Sequence, residues 1–185
     1  MVELAKNYGN VYVYMTHLHS DHSSGLGLFA QYMYYTQGKK LNIVVSDALI
    51  DDIKTLFKIT GVSLDICNIA QPDDKKDKKY KLIPISTTHA PELNGKYFGY
   101  EIHIDDDILV YTGDTCNIND FLEPMKKCIE LYVDVSASYG GVHLKYDDVK
   151  NILNDINVDI YLMHIDDEKL IRQLIFNTNI NIAEI

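Results

Sequence analysis

Apolar and polar positions alternate along this chain in segments whose length and period switch repeatedly between strand and helix. Val11–Thr16 is a continuous β-branched and aromatic run that predicts a buried strand, and Gly25–Tyr35 predicts a helix rich in large apolar residues. Leu41–Val45 predicts a second short strand. Ser46 then stands as N-cap to an amphipathic helix over Asp47–Ile59, with Ile50, Ile53, Leu56 and Phe57 on one face and Gly61 at its end. Strands are predicted at Tyr80–Ser86, Lys96–Ile104 and Asp107–Tyr111, the last two forming a hairpin that turns at Asp105–Asp106. A helix over Asn119–Glu130, a strand over Leu131–Val135, a helix over Tyr146–Ile156 and a strand over Asp159–Met163 follow. A last helix, Asp166–Phe176, and a short strand near Ile180–Ala183 complete the pattern. The run Asp73–Lys79 is expected to be a solvated polar turn. With no repeat, low-complexity tract or linker, residues 1–185 are expected to form one α/β domain.

Composition narrows the classes. A chain of 185 residues with 46% hydrophobic and 24% charged residues has enough apolar material for a core and is not a disordered segment. The balance of 17 Lys and Arg against 27 Asp and Glu gives net −10, which disfavours RNA or DNA as a partner without excluding a local basic groove. No run approaches the roughly 18 consecutive apolar residues of a membrane span, and Met1–Asn10 has no signal-peptide pattern. Cys67, Cys116 and Cys128 are odd in number and scattered, which favours a reducing, cytoplasmic setting over a disulfide framework.

The chemistry concentrates in Thr16-His17-Leu18-His19-Ser20-Asp21-His22, directly after a strand and before a helix. Three imidazoles and a carboxylate this close together, in a chain with only 7 His, make a chance cluster a poor explanation. His17 and His19 point the same way if strand geometry persists, and Asp21 and His22 on the next turn aim slightly further on. That layout suits two neighbouring metals better than one. Imidazole and carboxylate donors without thiolate favour zinc, manganese or iron over a structural cysteine-rich zinc site.

This HxHxDH stretch, followed by Gly25-Leu26, resembles the metallo-β-lactamase-fold hydrolase superfamily. The rest of that pattern is met in order: His89 in Thr87-Thr88-His89-Ala90-Pro91 with Phe98-Gly99-Tyr100 after it, Asp114 in Tyr111-Thr112-Gly113-Asp114-Thr115, and His164 in Ile160-Tyr161-Leu162-Met163-His164. The resemblance spans residues 11–165. It implies an αβ/βα sandwich of two mixed sheets flanked by helices, the first sheet truncated at its N-terminal side because one strand and a helix end precede His17. It also implies that His17, His19 and His89 hold one metal, that Asp21, His22 and His164 hold the other, and that Asp114 bridges them. Zinc is the metal of choice, with manganese or iron as alternatives. Two such cations, about 3.5–4 Å apart, share and activate a hydroxide and neutralise charge in the transition state. Asp21 is an alternative orienter of that hydroxide.

His143, in the Gly141-Val142-His143-Leu144 segment, resembles the histidine that assists the leaving group in the ribonuclease Z and phosphodiesterase branch. A near-neutral imidazole suits protonation of an alkoxide. That branch supports its histidine with a Glu; the matching stretch here, Val133–Ala137, offers Asp134 instead. His103 reads as a structural or surface residue. The short segment between His89 and Asp114 leaves no room for a tRNA-clamping arm, so the leading expectation is a phosphodiesterase acting on a small phosphodiester such as a cyclic nucleotide. Tyr97, Tyr139 and Tyr146 are candidates for stacking on a base. The alternatives are a ribonuclease Z-like endonuclease, a thioester or lactone hydrolase, or a non-catalytic metal-binding or interaction module. A flavodiiron-type reductase is disfavoured by His19 standing where a Glu is expected. A short first sheet leaves an apolar face to cover, so homo-oligomerisation is expected.

Overall fold

The computed structural model describes residues 8–72, 80–138, 141–176 and 178–184. The expected turn Asp73–Lys79 and the stacking candidate Tyr139 lie outside these residues. The chain divides into two compact units, Met1–Lys76 and Asp77–Ile185, each with its own sheet.

The first unit carries three parallel strands, β1 (Tyr12–Met15), β2 (Leu41–Val45) and β3 (Cys67–Ala70), in the order β1-β2-β3. The central β2 is buried on both faces, which is why it reads as an unbroken apolar run. Between β1 and β2 come the one-turn helix α1 (Ser20–Ser23) and the helix α2 (Leu26–Gln31), which widens into a π turn over Tyr32–Thr36. The expected Asp47–Ile59 helix splits into a 3₁₀ turn, Asp47–Leu49, and α3 (Ile50–Ile59). Ser46 precedes the 3₁₀ turn but makes no side-chain cap; its carbonyl accepts the Leu49 amide instead. Ile53 and Phe57 are buried, and Gly61, at φ +72, takes the left-handed conformation that ends the helix. Strand β3 was not expected: it is four residues long, carries the polar Asn68, and shows no alternation to read.

The second unit is a six-stranded mixed sheet in sequence order: β4 (Tyr80–Ser86), β5 (Phe98–Ile104), β6 (Asp107–Tyr111), β7 (Glu130–Asp134), β8 (Asp159–Met163) and β9 (Ile180–Ile182). β4, β5 and β6 pair antiparallel, with the β5–β6 turn at Asp105–Asp106 as expected, and β6 to β9 pair parallel. Strands β4, β6, β7, β8 and β9 therefore all point the same way. Their C-terminal ends share one edge, the usual place for a site in such sheets.

Helices cover one face. α5 (Tyr146–Asp155) and α6 (Glu168–Leu174) fall where the pattern put them, with Asp167 capping α6 by accepting the Leu170 amide at 2.9 Å. The helix expected over Asn119–Glu130 is instead a 3₁₀ turn, Ile118–Phe121, and the single turn α4 (Leu122–Met125). Pro124 explains this: it donates no amide, so it fits a first turn and does not support a long helix. Val110, Leu131, Val133, Ile160 and Leu162 form the core with Phe121, Met125, Val149, Leu153 and Ile171. Burying each Leu, Ile or Phe side chain contributes about 1.5–3 kcal/mol. Gly99 has no room for a side chain: a Cβ there would lie 2.6 Å from the carbonyl oxygens of Tyr111 and Thr112 and 2.5 Å from the Phe121 ring.

Candidate metal centre

In the first unit, β1 delivers Thr16 and His17 into the interior, and His17 is fully buried. Thr16 Oγ1 and His17 Nδ1 share a 3.0 Å hydrogen bond; with the proton on Nδ1, Nε2 presents its lone pair, the form a metal-ligating histidine takes. The chain then turns into α1, where the Ser23 hydroxyl donates to the carbonyls of Leu18 (3.2 Å) and His19 (2.9 Å) and fixes the corner. His19 and His22 flank His17, with ring centroids 4.7 and 4.1 Å from it. Asp21 is exposed, with Oδ2 3.6 Å from His22 Nε2. The four residues expected here to be ligands are thus gathered by one strand end and one helical turn.

The second unit gathers its groups from distant parts of the sequence. His89 follows β4, Asp114 follows β6, Asp134 ends β7 and His164 follows β8, all on the C-terminal edge. His89 is buried, with Nε2 3.8 Å from Asp114 Oδ2; its Nδ1 lies 2.5 Å from the Val142 carbonyl, which fixes the tautomer that leaves Nε2 toward the carboxylate. His164 Nε2 lies 3.5 Å from the same Asp114 oxygen and its Nδ1 3.7 Å from Asp134 Oδ1. Gly113, at φ +60, makes the turn that presents Asp114. His164 itself sits at φ +56, unusual for a residue with a side chain.

His143 packs between the other two imidazoles, 4.8 Å from the His89 ring and stacked 4.7 Å from that of His164. Its Nδ1 is 2.9 Å from Asp134 Oδ2, the carboxylate that the sequence offers in place of a supporting Glu. Asp134 is fully buried; its Oδ2 also accepts the Thr115 amide at 3.0 Å, and its own amide donates to Thr112 Oγ1. The hydrogen bond to Asp134 raises the His143 pKa above its ordinary value, with burial opposing. Burial raises that of Asp134, with His143 and the Thr115 amide opposing. Both directions favour the protonated form of the pair.

Asp166 was not anticipated. Its carboxylate accepts from Ser136 Oγ (2.8 Å), the Ala137 amide (2.7 Å) and the Asp167 amide (2.9 Å), tying the exit of β8 to that of β7. Burial alone would raise its pKa, but the donors Ala137, Ser136 and Asp167 outweigh this and hold it below the usual carboxylate value. Ser136 in turn donates its amide to Leu144 O at 2.7 Å, next to His143. Nothing in local sequence marks Asp166, because Ser136 and Ala137, the partners it ties to β8, lie 30 and 29 residues away.

Tyr97 and Tyr146 do not serve as stacking platforms: at 1% and 2% exposure both rings belong to the interior, and Tyr97 packs edge-on against His89. His103 pairs with Glu101 on β5, as a structural or surface residue would.

The donor set fits a metal. In the second unit, ligand atoms of His89, Asp114 and His143 lie within 4.8 Å of one another, as do those of Asp134, His143 and His164. Among the described residues, the fully buried Asp134 Oδ1 makes no hydrogen bond, a cost ordinarily avoided and one that a cation would offset.

Solved structures share this fold. The metallo-β-lactamase-fold protein YhfI from Bacillus subtilis matches at TM-score 0.72 and 18% identity, over 94% of this chain and 75% of its own. A diphosphatase of the PhnP family matches at 0.68 and 16%, over 94% and 68%. Igni18, a metallo hydrolase from the hyperthermophilic archaeon Ignicoccus hospitalis, matches at 0.64 and 14%, over 97% and 78%. No curated protein matches the chain significantly in sequence. Fold and donor set together define a metal-dependent hydrolase of the metallo-β-lactamase fold. Residues 3–178 match the sequence model of the anti-Pycsar protein Apyc1, so the chain belongs to that family, whose members degrade cyclic nucleotides. Among the described residues no helix is long and apolar enough to cross a membrane.

Proposed function

We propose that the two units form one hydrolase domain that opens a cyclic nucleotide to the nucleoside monophosphate with two divalent ions, zinc in preference to manganese or iron. His17, His19 and His89 would hold one ion, Asp21, His22 and His164 the other, with Asp114 shared. When bound, such ions supply Lewis acidity and an activated water at neutral pH.

The protein's own residues do the rest. Asp21, exposed at the start of α1, orients the attacking water. His143 delivers its proton to the sugar oxygen as the phosphorus–oxygen bond breaks, and takes a proton back from solvent. Asp134 holds that proton on His143 until it is needed. In balance, the hydroxyl of water bonds to phosphorus, the other proton leaves to solvent, and the departing oxygen becomes a ribose hydroxyl. The observation that carries this reading is the His143–Asp134 hydrogen bond of 2.9 Å, set beside Asp114 in a chain of this family. A general acid of this kind contributes about 10²–10⁴-fold.

The test is elemental analysis of the purified chain, with turnover of 3′,5′-cyclic nucleotides on the same sample. About two metals per chain with turnover is the expected result. Metal with no cyclic-nucleotide turnover overturns the substrate, and no metal overturns the mechanism. The free thiols Cys67, Cys116 and Cys128 support a cytoplasmic setting. Homo-oligomerisation is part of the proposal, supported by the exposure of Leu28 and Tyr35; light scattering that returns a monomer would overturn it.

A further inference from the structure

We propose that the nucleoside part of the substrate occupies a cavity of about 470 Å³ in the second unit, lined by His143 and His164 and, at the end of β9, by Ile182 and Ala183. This inference rests on the hydrolase reading above and adds where the uncharged half of the substrate lies. It starts from the chemistry of the leaving group. In a cyclic phosphodiester the departing oxygen stays bonded to the nucleoside, so the residue that protonates it must stand beside the sugar. His143 has that role, and it lines this cavity.

Three properties of the cavity agree. Its size lies within the roughly 300–1,000 Å³ range of small-molecule pockets. Its wall at the β9 end is apolar, with Ile165, Ile182 and Ala183 offering a surface for a flat heterocycle. Two carboxylates in its lining, Asp166 and Glu168, disfavour a phosphate beside them and can accept from hydroxyl or amino donors. Glu168 is already paired with Arg172, at 2.7 Å. Asp166 accepts three hydrogen bonds, whereas an ionised carboxylate has about four acceptor positions, so one remains for a donor of the sugar or base. The two ends of the substrate are thereby sorted by charge, the phosphate toward the imidazole and metal side and the nucleoside toward β9.

The experiment compares two substrates on metal-loaded protein: a 3′,5′-cyclic nucleotide, and methyl p-nitrophenyl phosphate, which has no nucleoside. Ala183→Trp, which narrows the cavity at its half-buried β9 wall, is expected to shift the ratio of the two kcat/KM values at least tenfold against the cyclic nucleotide, mainly through KM. An unchanged ratio overturns the inference while leaving the hydrolase reading standing. Wild-type protein that turns over only the nucleoside-free ester overturns both. A second readout does not depend on the variant folding. Titrating wild-type protein with the product nucleotide is expected to shift the methyl resonances of Ile182 and Ala183, and leaving them unmoved at saturation overturns the inference.

Discussion

The two regions that carry the candidate ligand residues are built in opposite ways. In the first unit, His17, His19, Asp21 and His22 come from one strand end and one helical turn, and the Ser23 hydroxyl closes the corner by bonding to Leu18 and His19. In the second, His89, Asp114, Asp134 and His164 come from four strands that share a direction, and the sheet register alone brings them to one edge. A local cluster is specified by spacing; a dispersed one is specified by topology and then trimmed by single hydrogen bonds such as His89 to Val142 and Asp166 to Ser136. Substitutions in the two regions should therefore fail differently.

The largest effect is expected at Asp114, whose one oxygen faces both His89 and His164. Asp114→Ala should reduce cyclic-nucleotide turnover to background and lower the metal content, read by elemental analysis; full metal content would show that the carboxylate is not shared. His143→Ala comes next, with kcat down about 10²–10⁴-fold and metal retained. Metal loss in that variant would make His143 a ligand and not an acid.

Asp134→Asn should cost about 10–100-fold and also move the pH profile. The hydrogen bond from Asp134 raises the His143 pKa, so the acid form persists to higher pH than in an ordinary histidine. Its rate contribution is present below that raised pKa and lost as pH rises through it. Removing the carboxylate's charge lowers the pKa, so the alkaline limb of kcat should shift to lower pH; a limb that stays put would break the pairing. The linked stability has the same sign: present below the ordinary histidine pKa and lost as pH rises through the folded one.

The smallest effect belongs to the first region. Thr16→Val removes the partner of His17 Nδ1 while keeping the strand's β-branched shape, and should weaken metal affinity about tenfold, read by chelator competition. An unchanged affinity would mean that burial alone orients His17.

The same contrast governs what could be read from the chain. The first cluster was legible because its spacing is its geometry. His89, Asp114 and His164 could be found only through a family pattern, since each taken alone is an ordinary loop or turn residue. The strands β4, β6 and β8 and the helix α5 were legible from period and length. The helix expected over Asn119–Glu130 was not borne out because Pro124 confines it to one turn, and β3 was missed because four residues carry too little pattern. Tyr97 was a stacking candidate only because burial is invisible in composition; in the fold its ring supports His89 from within. Asp166 was out of reach because its role exists only once β7 and β8 lie side by side.

The acceptor for His89 Nδ1 is the main-chain carbonyl of Val142, not a side chain. The choice of proton position on that imidazole is therefore written into the path of the backbone and not into the identity of residue 142. Sequence drift at that position leaves it intact, whereas an insertion or deletion between β7 and α5 would change it even with every histidine and aspartate in place. The length of this loop is therefore as much a part of the site as the His143 it carries.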